Sequence, residues 1–266
     1  MVDSSFTTAT EMFSCFLVIP HYRDTERLKP YLADLMATLP DWVTIQVSDD
    51  GSGAAGFRKL EALIEQAQKE RRRLKHGPVI LAPITSGENQ GKGAAVLAGW
   101  RQSSTEDFLS FVDADGAVSA TELLRALMHM RNVAADLGVL IGSRIKMAGH
   151  KVERRPIRHL CGRVFATSVS LISGLIIYDT QCGLKILRRD VYEAISPHMR
   201  TAGFAFDVEL LLLAIRSGFT IEEFPIDWQD IPGSKVSLLK HSLPMLREVA
   251  RAKRHVDLIF ATKSKS

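Results

Sequence analysis

The sequence predicts an α/β domain with a mostly parallel central sheet and flanking helices. First, short apolar runs alternate with stretches of helical length through the first half of the chain, a pattern of strands joined by crossover helices. Second, polar clusters follow the apolar runs, at the carboxyl ends of strands, where open α/β sheets place their ligands. Third, 266 residues with 46% hydrophobic and 24% charged composition can fill one sizeable core, or two small ones. With no clear linker, residues 14–256 are taken as one domain, with 1–13 and 257–266 as terminal extensions.

The elements follow in order. Cys15 to Ile19 is a buried strand stopped by Pro20, and Glu26 to Leu39 is a helix spaced by Leu28, Tyr31, Leu32 and Leu35. Val43 to Val47 is a strand ending at Ser48-Asp49-Asp50-Gly51, and Phe57 to Leu74 is a long charged helix. Val79 to Ala82 is a third strand, and a third helix starts at Gly93. Phe108 to Val112 is a strand ending at Asp113-Ala114-Asp115-Gly116; Thr121 to Met130 is a helix and Gly138 to Ile141 a strand. The second half is less regular. Arg158 to Ser173 and Phe206 to Ser217 have helical length, Leu184 to Leu187 and Thr220 to Trp228 look extended, and Ser237 to His255 closes the pattern as a helix.

Composition removes several function classes. Aromatic residues are 7%, too few for a row of base-stacking platforms, and a net charge of +4 is too modest for nucleic acid but favours anionic small partners or an anionic membrane surface. Three cysteines, Cys15, Cys161 and Cys182, form no Cys-x-x-Cys pair, which fits a reducing compartment. Met1 to Met12 has no Lys or Arg, so no signal leader is expected, and no apolar run reaches a membrane-spanning length of ~18 residues. A cytoplasmic protein, with room for peripheral contact at a membrane, is the expectation. The histidines form no His-Glu-x-x-His, there is no Gly-x-Ser-x-Gly, and the first strand runs into Pro20-His21-Tyr22-Arg23 rather than a Gly-x-Gly-x-x-Gly loop.

What remains is a set of acids and cations at strand ends. Asp113 and Asp115 are two apart after a strand, so both carboxylates point into one crevice if strand geometry persists. Two such charges repel unless a cation sits between them, and hard oxygen donors suit Mg²⁺ or Mn²⁺ carrying a diphosphate. A strand-end turn capped by acids is the plainer alternative. Asp49 and Asp50 can accept hydrogen bonds from a base or ribose, or form an ordinary Asp-Gly turn. Lys92, in Gly87-Glu88-Asn89-Gln90-Gly91-Lys92-Gly93, can meet a diphosphate, and a helix starting near Gly93 can offer it amides; the spacing is not that of an ATPase loop. Arg144, with Arg154, Arg155 and Arg158 close behind, suits a second, phosphorylated substrate, or is a solvated basic face. Asp207 is either a helix N-cap or a cleft-facing base.

Taken as an ordered series, these segments resemble inverting family 2 glycosyltransferases, and among them the dolichyl-phosphate and polyprenyl-phosphate hexosyltransferases. The stretches that carry the resemblance are Val18-Ile19-Pro20, Asp49-Asp50-Gly51-Ser52, Asn89-Gln90-Gly91-Lys92-Gly93, Asp113-Ala114-Asp115, Gly142-Ser143-Arg144, Asp179-Thr180-Gln181-Cys182-Gly183-Leu184-Lys185, Phe206-Asp207-Val208-Glu209-Leu210-Leu211 and Ser234-Lys235-Val236. The resemblance implies the GT-A nucleotide-diphospho-sugar transferase fold. It implies a donor site of Pro20, Tyr22, Asp49, Asp50, Lys92, Asp113 and Asp115, with Mg²⁺ or Mn²⁺ on Asp113 and Asp115. It implies acceptor contacts from Arg144, Arg155, Arg158, Gln181 and Asp207, and catalytic roles for Asp115, Asp207, Asp179 and Arg144. The implied reaction moves a hexose from a UDP- or GDP-sugar to a polyprenyl or dolichyl phosphate; transfer to a soluble sugar, glycoside or small metabolite is the alternative. A sugar nucleotidyltransferase and a non-catalytic nucleotide-binding module are the readings from other classes. Two positions depart from the subgroup: Ala117 stands where relatives carry Gln, and Gly-Ala-Ala-Gly follows Ser52.

Overall fold

The computed structural model describes residues 13–133, 137–144, 152–153, 166–229 and 238–263. The elements are β1 (Cys15–His21), α1 (Thr25–Thr38), β2 (Val43–Asp49), α2 (Gly53–Arg71), β3 (Val79–Ile80), β4 (Ile84–Thr85), α3 (Lys92–Trp100), β5 (Phe108–Val112), α4 (Ala120–Asn132), β6 (Leu137–Ser143) and β7 (Val152–Glu153). Helical residues 166–173 (α5) follow, then β8 (Leu184–Arg188), α6 (Arg189–Ile195), a 3₁₀ turn (Ser196–His198), α7 (Phe206–Arg216), β9 (Thr220–Pro225), β10 (Trp228–Gln229) and α8 (Leu238–Lys263).

The main sheet has the order β3-β2-β1-β5-β8-β6-β9, with β4 also on β2. Every pairing in it is parallel except those of β8, which runs antiparallel to both β5 and β6. That single reversal matters for the site. It puts the chain entering β8, residues 179–183, at the same edge as the carboxyl ends of β1, β2, β5 and β6. Val112 pairs with Leu184, and the Asp113 amide donates to the Gly183 carbonyl at 2.9 Å.

β6 is buried along its whole length, as a sheet covered on both faces requires. The core continues through Trp100, whose ring meets Phe111, Phe206 and Tyr192 at 5.7–6.0 Å and whose Nε1 donates to the Ser110 carbonyl. Burying each such large apolar side chain contributes roughly 1.5–3 kcal/mol.

Several boundaries differ from the sequence reading. Pro83 lacks an N–H and divides the third strand into β3 and β4, both short and both on β2. α2 starts at Gly53 rather than at the expected Phe57, so the Gly-Ala-Ala-Gly segment is helical. α6 follows β8 without a turn residue between them. α8 continues beyond the predicted His255 to Lys263, where Ile259 and Phe260 pack on the core, and Phe13 meets Trp42 and Phe108 at 4.6 Å.

Candidate active site

Four strand ends and the entry to β8 bring the acids and cations together. Asp49, the last residue of β2, turns inward. It is bound by His21 Nδ1 at 2.8 Å, the Ser52 amide at 2.9 Å, the Ser52 hydroxyl, and Thr85 Oγ1 at 3.1 Å. Burial alone pushes its carboxyl up, but the hydrogen bonds from Ser52, His21 and Thr85 outweigh this and hold it below its ordinary value. Asp50 is buried too, and it orders the next loop: Gln90 N donates at 2.7 Å, Gly91 N at 2.9 Å and Asn89 Nδ2 at 2.9 Å. Burial pushes its carboxyl up. Asp50 thus builds the turn that carries Lys92, while Asp49 ties His21, Ser52 and Thr85 together. Pro20 pairs with Ser48 on β2, and Tyr22, just beyond β1, lies against the Arg23 guanidinium at 5.0 Å from its ring centre.

Two of the loop's glycines, Gly91 and Gly93, allow close packing against the 201–206 segment. Gly91 has φ +110°, and a Cβ there would lie 2.6 Å from the Ala202 carbonyl oxygen. α3 begins at Lys92, but the Ala94 amide donates to that same carbonyl at 3.0 Å. Of the first amides of α3, that of Ala94 is thus taken by the 199–205 loop.

Lys92 leads into a chain of alternating charge. Its Nζ lies 2.9 Å from Asp113 Oδ1 and 3.6 Å from Asp207 Oδ2, and the other Asp207 oxygen accepts from Lys185 Nζ at 2.6 Å. Side-chain exposure falls along it, from 40% at Asp113 through 12% at Lys92 and 3% at Asp207 to zero at Lys185. Lys185 also donates to the Cys182 carbonyl at 3.0 Å. A fully buried ammonium requires such partners. α7 begins one residue before Asp207, with Ala205 as its cap, so Asp207 is not an N-cap; it sits in the first turn facing the two lysines. Gly183 completes the fit, because a Cβ there would lie 2.1 Å from Asp113 Oδ2.

Asp113 and Asp115 feel each other. Burial and then the Asp113 charge push the Asp115 carboxyl up, although Ala117 N donates to it at 3.0 Å. Burial also opposes ionisation of Asp113, but Lys92, followed by Lys185 and Arg144, holds it below its ordinary value. Among the described residues no third His, Cys, Asp or Glu joins them as a metal ligand. The pair still fits a Mg²⁺ or Mn²⁺ ion, because such ions are commonly held by one or two carboxylates with substrate phosphates and water completing the shell.

On the other side of β8, Arg144 follows β6 and grips Asp179. Nε and Nη2 each lie 2.6 Å from an Asp179 oxygen, and the Arg144 amide donates at 3.0 Å. Glu223 on β9 fixes this loop by accepting from the Tyr178 and Asp179 amides and the Ser143 hydroxyl. Gln181 Nε2 donates to the Phe204 carbonyl at 3.4 Å. Arg155 and Arg158, expected at the acceptor, lie outside the described residues, as does Ser234-Lys235-Val236.

Sequence reasoning gave no site role to Lys185, Glu223 or Tyr31, and for Glu209 it left open facing the cleft or pairing. Lys185 did leave a signal, as a lone cation in the apolar run Leu184-Lys-Ile-Leu. Glu209, fully buried in α7, accepts from the Arg200 and Thr201 amides and so pins the 199–205 loop. Nothing local marks Glu223 or Tyr31.

Comparison with known proteins gives a consistent picture. The family model described as "Glycosyl transferase family 2" matches residues 16–196. The dolichyl-phosphate beta-glucosyltransferase of Saccharomyces cerevisiae is 32% identical over 248 residues, covering 88% of this chain and 72% of that protein. The protein of the same name from Dictyostelium discoideum is 28% identical over 260 residues, covering 93% and 76%. Among solved structures, glucosyl-3-phosphoglycerate synthase from Mycobacterium tuberculosis with Mn²⁺, UDP-glucose and glycerol 3-phosphate superposes with a TM-score of 0.59. That match covers 90% of this chain and 78% of the other, and at 12% identity it shows a shared fold. No helix among the described residues is long and apolar enough to cross a membrane.

Proposed function

The chain belongs to glycosyl transferase family 2 and is a nucleotide-sugar-dependent glycosyltransferase of GT-A fold, and from this premise we propose that it moves a hexose onto an acceptor that carries a phosphate. The observation that carries the proposal is the pairing of two anion-handling centres at one sheet edge. Asp113, Asp115 and Lys92 form one, at the end of β5; Arg144, at the end of β6 across β8, forms the other. The first suits the donor diphosphate and the second the acceptor.

On this reading a divalent cation on Asp113 and Asp115 would neutralise charge on the departing nucleoside diphosphate. The protein's own groups do the rest. Asp113 and Asp207 aim the Lys92 ammonium at the same place, and Asp50 holds the loop from which Lys92 springs. Asp207 and Asp179, the candidate bases, already have their oxygens on Lys185, Lys92 and Arg144. A nucleophile that needs no deprotonation therefore suits the site better than a neutral hydroxyl, and a phosphate oxygen is one. Attack opposite the diphosphate would convert an α-linked donor into a β-linked product, in keeping with the relatives' names.

That favours a polyprenyl-type lipid phosphate, and the names of the curated relatives print one such group, dolichyl phosphate. A soluble phosphorylated small molecule is the second reading. It is favoured by the fold neighbours, which were captured with phosphoglyceric acid and glycerol 3-phosphate. The test is a donor and acceptor matrix read by product mass: UDP-glucose and GDP-mannose with Mn²⁺, against polyprenyl phosphate, phosphoglycerate and free sugars. One added hexose on polyprenyl phosphate is the expected result. Product on phosphoglycerate alone selects the second reading, and product on unphosphorylated sugars alone rejects both.

A further inference from the structure

Tyr31 lies on the face of α1 beneath the Asp113–Gly116 turn. A Cβ built on Gly116, where φ is +73°, would lie 3.4 Å from the Tyr31 ring. The residue is 5% exposed, yet its hydroxyl is fully buried with no hydrogen-bond partner among the described residues. Buried polar atoms nearly always find partners, so this one calls for an explanation. Packing does not supply it, since phenylalanine would fill the same space without a stranded hydroxyl.

The surroundings suggest what the hydroxyl is for. The acidic groups it senses are Asp115 first, then Asp113, then Asp34. A phenolic hydroxyl is protonated at neutral pH and so can donate. Asp34 and Asp115 each place one oxygen on a backbone amide, of Ala120 and Ala117 respectively. Asp115 is the acid that directly precedes Gly116, the residue that packs against the Tyr31 ring.

We propose that Tyr31 is a positioning residue for the cation site: its hydroxyl is held in reserve beneath Asp115 and donates to that carboxylate when the acid pair closes on a divalent cation. This rests on the metal reading of Asp113 and Asp115 above. Donors placed behind metal-binding carboxylates orient them, and losing one typically weakens metal affinity 10- to 100-fold. The stranded hydroxyl is then a cost to the metal-free protein that is recovered on binding.

Tyr31→Phe separates the two states, because it should move them in opposite directions. Mn²⁺ binding in the presence of UDP is titrated by electron paramagnetic resonance of the free ion, which needs no turnover. Thermal unfolding is followed without metal. The variant is expected to bind Mn²⁺ about tenfold more weakly and to unfold about 2 °C higher in the metal-free form. Unchanged Mn²⁺ affinity in Tyr31→Phe overturns this inference alone, as does a lower metal-free midpoint, which would mean the hydroxyl already has a partner. If the parent protein itself binds no Mn²⁺ with UDP present, the metal reading fails and this inference fails with it.

Discussion

Replacing Asp113 with Asn is expected to lower kcat/KM for hexose transfer by roughly 100- to 1000-fold, the scale of losing one preorganised electrostatic contact in a transition state. The fold should survive. Asp113 is two-fifths exposed, and an Asn oxygen can still accept from Lys92 at the 2.9 Å position. What goes is the negative charge that anchors one side of the proposed cation and restrains the Lys92 ammonium. Steady-state kinetics beside urea unfolding check this. A variant with near-normal turnover and normal stability would remove Asp113 from the reaction; lost turnover with lost stability would make its role structural.

Lys185→Met is the counterpart, an effect on the fold first and on activity second. Lys185 is fully buried and supplies the 2.6 Å contact to Asp207. Without it, a 3%-exposed carboxylate is left, among the described residues, with Lys92 3.6 Å away. Breaking a buried pair from one side costs about 3–5 kcal/mol. Removing both charges, as Lys185→Met with Asp207→Leu, should restore most of that stability, because the uncompensated carboxylate goes with its partner. The double variant should remain poorly active, since Lys92 loses the inner half of its support. Chemical unfolding of the three proteins decides it. A single variant as stable as the parent would mean that the ion pair contributes nothing to the fold.

These two residues also mark how far the sequence could be read. Asp113 and Asp115 stand out because an apolar strand runs straight into them, and β5 itself appears where its apolar residues lie. The alternation of elements gave the sheet because buried strands and amphipathic helices have different periods. α6 escaped notice because Arg189–Ile195 continues β8 without a Gly, Pro or Asn to mark the change. Lys185 is legible as an oddity but not as a partner, since Asp207 lies 22 residues on and the contact depends on β8 and α7 packing together. Tyr31 reads as one more apolar position on α1; only the fold places its hydroxyl below a turn more than eighty residues away. The reversed β8 has the same character. Nothing in Leu184–Arg188 announces its direction, yet that direction brings Asp179, Gln181 and Gly183 to the site.

The account turns on where the donor's diphosphate sits. A crystal structure of the protein with UDP and Mn²⁺, collected near the manganese absorption edge, locates the ion by its anomalous signal. The account requires one peak within about 2.5 Å of oxygens from both Asp113 and Asp115, with the diphosphate completing the shell and the Lys92 ammonium beside it. A diphosphate bound elsewhere, with no peak between these two carboxylates, would contradict it.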